Sequence, residues 1–256
     1  MFNLLRNLRL NEMKDTKPSF ARTTAGKYFK YAIGEIFLVV IGILIALSIN
    51  NWNENQKLKV YEIKILKEIK ANLKQSREEV LIAIEEDERW RTCIYKILDH
   101  LDQQKPYDKS LDQCFGSYFW SSTVQFSTSA YDELKNRGLE LISNPELRRD
   151  ITNMYDFKLD VIKSEVEIWD SQLLSSTIYP LHTQLFRKYF PESWQVFQDE
   201  FAKPVNYDEL LTNEHFKNLL SEIISLRNYS VTINNLLEKD ILNLIDSIDS
   251  ELTELQ

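Results

Sequence analysis

Apolar residues recur at helical spacing along most of the chain beyond residue 57. From Leu58 a stripe runs through Tyr61, Ile65, Ile69, Leu73, Ser76, Val80, Ile84, Asp87, Arg91, Ile94, Leu98 and Leu101. Ten of these thirteen positions are apolar, at a mean spacing near 3.6, the period of an amphipathic helix. No Gly or Pro interrupts the stripe before Pro106. The pattern predicts a helix over about 53–103, roughly 75 Å long. Its polar step at Asp87 and Arg91 reads either as a bend or as an i, i+4 salt bridge on a solvated face. A second stripe passes through Phe216, Leu219, Ile223, Leu226, Ser230, Ile233, Leu237, Ile241, Leu244, Ile248, Leu252 and Leu255, with eleven of twelve positions apolar. Its spacing, near 3.5, lies between a coiled-coil seam and an ordinary bundle face.

Between them a third helix is expected. Asn144 suits its N-cap and Pro145 its first turn. Leu147, Ile151, Tyr155, Leu159, Ile162, Val166, Trp169 and Leu173 form its stripe. Pro180 is placed to kink or end it, and Pro191 to begin something new. Shorter helices are expected over 109–121 and 129–136, the latter capped by Ser129 and stopped by Gly138. Helices this long must bury their stripes on one another or on another copy. The fold class is therefore all-α, an elongated antiparallel helical bundle.

The first fifty residues follow another pattern. Tyr31–Ile49 is a 19-residue run with a single charge, Glu35, and at ~1.5 Å per residue it matches the hydrocarbon thickness of a bilayer. Lys27, Tyr28, Lys30 and Tyr31 flank one end, and Trp52 with Asn50, Asn51, Asn53 and Asn55 the other. Those are interfacial side chains. A buried core helix is the rival reading, since the uninterrupted apolar run covers only Ile36–Leu47. A cleaved signal peptide ending near Ala46-Leu47-Ser48 is another, although the basic segment before it is long and Ile49 and Trp52 continue the span.

Charge separates the same regions. Residues 1–30 carry seven Lys/Arg against Glu12 and Asp15, and residues 51–256 carry 24 basic and 36 acidic side chains. The net of -8 thus hides a +5 tail, a -1 span and a -12 remainder. Positive-inside bias puts the tail in the cytoplasm and the acidic part across the membrane. The division expected is a basic cytoplasmic tail over 1–30, a transmembrane helix over 31–51 and a periplasmic helical-bundle domain over 52–256. An acidic surface argues against nucleic acid as a partner. Of five Gly in the chain, only Gly116 and Gly138 follow residue 50, so glycine-lined turns and phosphate loops are not expected there.

Two blocks of sequence resemble a known family. Lys27–Glu54, containing the run Ile36-Phe-Leu-Val-Val-Ile-Gly-Ile-Leu-Ile-Ala-Leu-Ser-Ile-Asn-Asn-Trp52, is similar to the opening of an uncharacterised family of bacterial membrane proteins widespread in Bacteroidota, domain of unknown function number 6090. Ser127–Gly138 and the following Leu-Glu-Leu-Ile142 resemble its second recurring block. The resemblance implies an inner-membrane protein of a two-membrane bacterium with its domain in the periplasm. It implies no activity.

Motifs of known chemistry are missing: the sequence has no His-Glu-x-x-His, no Gly-x-x-x-x-Gly-Lys and no Gly-x-Ser-x-Gly. His100, His182 and His215 are widely separated and complete no Glu-x-x-His pair. The run Glu85–Glu88 points around a helix rather than at one ion. No catalytic residue, cofactor or metal is therefore expected. Cys93 and Cys114 are candidates for a disulfide joining the first long helix to the short one after it. Spacing alone leaves that pairing open. Within the span, Glu35 and Gly42 share a face by their seven-residue spacing, and Gly42-x-x-x-Ala46 is a small-xxx-small pair. This face reads as a site of helix association or proton binding, or as an interfacial Glu solvated beside Lys27 and Lys30. The cluster Phe115, Tyr118, Phe119 and Trp120 reads as an exposed recognition patch or as a small core under a cap.

The function expected is a membrane-anchored interaction, scaffold or sensing module without catalysis, in contact with membrane lipid and with a second copy or another membrane protein. The alternative is an accessory subunit of an ion-driven or transport complex that uses Glu35.

Overall fold

The computed structural model describes residues 24–161, 164, 168–191 and 200–255. Most of the basic tail, and Ile162 and Val166 of the third stripe, lie outside them. The chain divides into two compact units, Met1–Lys57 and Leu58–Gln256.

One helix serves both. Helix α1 spans Thr24–Asp102, 79 residues, with no proline to remove a ladder donor. It ends in a Schellman turn: Lys105 N–H bonds to the His100 carbonyl (2.9 Å) and Gln104 N–H to that of Leu101 (3.2 Å). Gln104 occupies the left-handed region there, at φ 48°.

In the second unit, Leu58–Asp102 of α1 forms the first of four legs. The second leg returns along it. It comprises a 3₁₀ turn at Lys109–Leu111, helix α2 (Asp112–Ser117), a stretch without helix or strand over 120–128 and helix α3 (Ser129–Arg137). Side-chain bonds from α1 fix this return: the Ser122 hydroxyl donates to the Ala83 carbonyl (3.1 Å), Ser127 N–H to Ser76 Oγ (3.2 Å) and Ala130 N–H to Asn72 Oδ1 (3.1 Å). Ser129 is thus not the expected cap. Thr128 holds the N-cap position without a side-chain bond to the helix backbone, and α1 supplies the acceptor through Asn72. Gly138 does stop α3, at φ 109°, where a side chain would be strained.

The third leg starts as expected. Asn144 accepts from Glu146 and Leu147 N–H (3.0 and 3.2 Å), and Pro145 opens helix α4 (Pro145–Asn153). It does not continue as a plain α-helix. A π-turn at Met154–Lys158 leads into a helical turn at Leu159–Val161. Ser164 is again in π conformation, and helix α5 (Ile168–Leu173) is followed by a π-turn at Leu174–Ile178 and by helix α6 (Tyr179–Leu185). The break forced by Pro180 is absorbed by that turn. A hairpin then intervenes, β1 (Phe186–Tyr189) antiparallel to β2 (Phe201–Pro204), with Phe186 opposite Pro204 and Tyr189 opposite Phe201. The hydrophobic pattern does not announce it. A short helix α7 (Tyr207–Leu211) precedes the fourth leg, α8 (Glu214–Glu254).

Contacts between α1 and α8 run in opposite order along the two helices. Lys70 bonds to Asp249, Arg77 to Glu238 (2.7 Å), Arg91 to Asn228 (2.7 Å) and Asp102 to Lys217 (3.2 Å). The pair is antiparallel, as expected. The core has two apolar clusters. One gathers Ile65, Leu66, Ile69 and Leu73 with Leu134, Ile151, Ile241 and Ile248. The other gathers Ile94, Ile97 and Leu101 with Phe115, Tyr118, Phe186 and Phe216.

Candidate functional site

The apolar part of α1 is uncovered. Its most apolar 18-residue window has a mean hydropathy of 2.7, with none of it buried within the chain. It is long and apolar enough to cross a membrane. Glu35, Gly42 and Ala46 are all exposed, and a side chain at Gly34 or Gly42 would meet nothing within 4 Å. Among the described residues, nothing packs against the small residues on that face.

Polar chemistry concentrates instead between the two apolar clusters of the bundle. On α1, Asp87 falls between Ala83 of the first cluster and Ile94 of the second; on α8, Arg227 and Ser230 fall between Ile223 and Leu237. Asp87 is 0% exposed, Arg227 2% and Asp170 of α5 9%. Arg227 grips Asp170 by two parallel bonds, Nη1 to Oδ2 and Nη2 to Oδ1, both 2.8 Å, a fork geometry that only Arg offers. Its Nη1 lies 3.5 Å from Asp87 Oδ1. Ser230 Oγ is 2.5 Å from Asp87 Oδ2, and the Asn234 amide donates to Ser230 Oγ at 3.3 Å. Arg227 Nε and Asn234 Oδ1 are buried without a hydrogen-bond partner. Burial pushes the Asp87 carboxyl above its ordinary range, against the pull of Arg227.

A second cluster surrounds His182 of α6, which is 2% exposed. Its ring lies 4.9 Å from Phe119, 5.2 Å from Phe186 and 5.7 Å from Tyr118, centroid to centroid. Neither ring nitrogen has a hydrogen-bond partner among the described residues. Burial first, and Lys188 second, lower its pKa to about 4, so the imidazole is neutral near pH 7 and offers no charge to the core. Tyr118 Oη is buried without a hydrogen-bond partner as well.

Cys93 and Cys114 are bonded to each other and tie α1 to α2. They form the floor of a groove of about 300 Å³ whose walls include Arg89, Trp90, Lys96 and Gln113. No group of three or more His, Cys, Asp or Glu that could hold a metal occurs among the described residues.

Residues 35–190 match the model of a family of unknown function, DUF6090. The chain belongs to that family. No curated protein and no solved structure matches it. The DUF6090 match begins at Glu35 in the apolar segment and ends just beyond β1. It takes in Asp87, both cysteines, Asp170 and His182, and leaves out α8 with Arg227 and Ser230.

In this DUF6090 protein the aromatic cluster is not an exposed patch. Phe115 and Tyr118 are 0% exposed and Phe119 5%, with Trp120 half-buried and packed against them. Tyr118 meets Phe216 edge-on, centroids 5.5 Å apart. These rings are core, the other reading open at the sequence level. The i, i+4 salt bridge between Asp87 and Arg91 does not form. Asp87 turns inward to Arg227, while Arg91 pairs with Glu88 (3.5 Å) and bonds to Asn228 of α8 (2.7 Å). Trp169, expected on the buried stripe, is 62% exposed, and its neighbour Asp170 takes the inward place. Leu159 still follows the stripe after the first π-turn, but Ser164 stands in π conformation again, and because a π-turn holds one more residue than an α-turn the inward face has advanced by Trp169. The arginine and the second aspartate carried no sequence signal, because Asp170 turns inward only once the π-turn has shifted the register.

Proposed function

We propose that this protein is a membrane-anchored interaction, scaffold or sensing module that acts through contacts rather than chemistry of its own. The observation carrying this is the single helix α1: uncovered and apolar over its first part, packed and amphipathic beyond Leu58. Such a segment requires an apolar solvent, and membrane lipid is its first partner. The tail is cytoplasmic and the bundle periplasmic, at the inner membrane of a two-membrane bacterium. Two independent features support this orientation, the basic tail and the disulfide, a bond that persists in oxidising compartments. The bundle's acidic balance makes nucleic acid an unsuitable partner. The uncovered face bearing Gly42 and Ala46 admits close approach of another helix, from a second copy or another membrane protein.

The test is a pair of C-terminal fusions to reporters that work on opposite sides of the inner membrane. Alkaline phosphatase is expected to be active and a cytoplasm-dependent fluorescent protein dark; the reverse result would overturn the orientation.

A second reading is an accessory subunit of an ion-driven or transport complex. It is favoured by Glu35, an ionisable group in the apolar segment. Glu35→Gln separates the two. Loss of the host phenotype with assembly intact supports the complex subunit, and an unchanged phenotype removes it.

A further inference from the structure

Among the described residues, the buried charges between the two cores do not balance. Asp87, Asp170 and Arg227 are each at least nine-tenths shielded from solvent. One guanidinium neutralises one carboxylate, and Arg227 gives its two parallel bonds to Asp170 while standing 3.5 Å from Asp87. Ser230 and the backbone of Ser122 contribute hydrogen bonds to Asp87 but no charge. Among the described residues, the charged groups acting on Asp87 from the elements packed around it are Arg227 of α8 and Asp170 of α5, opposite in sign. On its own helix the neighbouring charges pair with one another, Arg89 with Glu86 (4.0 Å) and Arg91 with Glu88 (3.5 Å). With both carboxylates ionised, the site would carry one uncompensated negative charge out of water, at a cost of several kcal/mol.

We propose that this crossroads is a proton-binding site: near neutral pH the Asp87–Asp170 pair around Arg227 holds one proton, and its release loosens the three legs that meet there. The proton resides on Asp87. Ser230 Oγ lies 2.5 Å from Asp87 Oδ2, so the protonated carboxyl donates to that hydroxyl, and the ionised form accepts from it. With the proton on Asp87, the one remaining carboxylate charge matches the single guanidinium. Because the legs supplying Asp87, Asp170 and Arg227 are different, proton loss acts on the packing between them and not on one helix alone.

The sign follows from linkage. A carboxyl whose affinity for a proton is higher folded than unfolded stabilises the fold most at low pH. That contribution is lost as pH rises through the folded-state value. The probe is the infrared band of a protonated carboxyl in the full chain, held in detergent micelles at about pH 6, where ordinary Asp and Glu are ionised. The band is expected in the wild type, absent in Asp87→Asn, and lost at higher pH together with part of the thermal stability. Asp170→Asn leaves one carboxylate for one arginine, so Asp87 ionises and the band also disappears. A wild-type protein without the band at this pH would overturn the proposal, whether or not either variant folds. A band that persists in a folded Asp87→Asn would do the same.

Discussion

At the scale of single residues, what sets this bundle apart is polar side chains held where apolar ones are expected. His182 is the sharpest example after Asp87. Its pKa is lowered to about 4 by burial and Lys188, while an unfolded chain titrates it near 6.5. Between those values the unfolded state binds the extra proton, so the native state loses stability as pH falls through the window. The full shift corresponds to roughly 3 kcal/mol. In His182→Phe that acid penalty is expected to vanish, with the gap between variant and wild type widening from about pH 6.5 down to about 4. Denaturant titrations across that range measure it, and parallel pH profiles would remove His182 as the cause. Gly116 is also fixed by its surroundings. A side chain added there would meet the Glu200 carbonyl oxygen at 2.1 Å, backbone against helix, so α2 can lie on β2 only with glycine at this position.

At the scale of elements, the long helices form where the apolar period demands, and their ends are set by local backbone chemistry. The Schellman turn after α1 places Gln104, a residue with a β-carbon, at φ 48°. That conformation costs about 1 kcal/mol for an L residue and nothing for glycine. Gln104→Gly is expected to raise stability by about that amount, read from the denaturation midpoint at unchanged slope. The third leg shows the limit of periodicity. Its cap at Asn144 and its buried Leu147, Ile151, Tyr155 and Leu159 follow the stripe. Past the further π conformation at Ser164 the face has advanced, and Asp170 stands inward in place of Trp169. After the π-turn at Leu174–Ile178, His182 stands fully buried beside a half-buried Leu181. Both polar centres of the bundle thus follow π-turns. The stripe was readable up to Leu159 because α-helical spacing repeats, and it failed afterwards because an inserted residue leaves no mark in the sequence.

At the scale of the whole molecule, the disulfide is the one covalent tie between distant parts of the described chain. It links positions 21 residues apart, α1 to α2, beside the cluster of Phe115 and Tyr118. Closing a loop of that size stabilises a fold by about 3 kcal/mol where geometry is unstrained. Replacing both cysteines by alanine is expected to lower stability by that order. A reductant is expected to lower the wild type to match while leaving the double variant unchanged, as thermal unfolding with and without reductant would show. Equal stability of the oxidised and reduced wild type would make the bond dispensable.

The sequence by itself determined the all-α class, the apolar segment of α1, the inward faces of the two longest helices and their antiparallel pairing. Each rests on hydrophobic periodicity or composition, which act locally and repeat. Only the tertiary structure decided that Asp87, Asp170 and Arg227 meet, that the aromatic cluster lies inside, that the cysteines pair, and that a hairpin joins the third leg to the fourth. Those outcomes depend on residues far apart in the chain arriving at one place, and on the π-turns that rotate one leg by a residue. No local pattern encodes either.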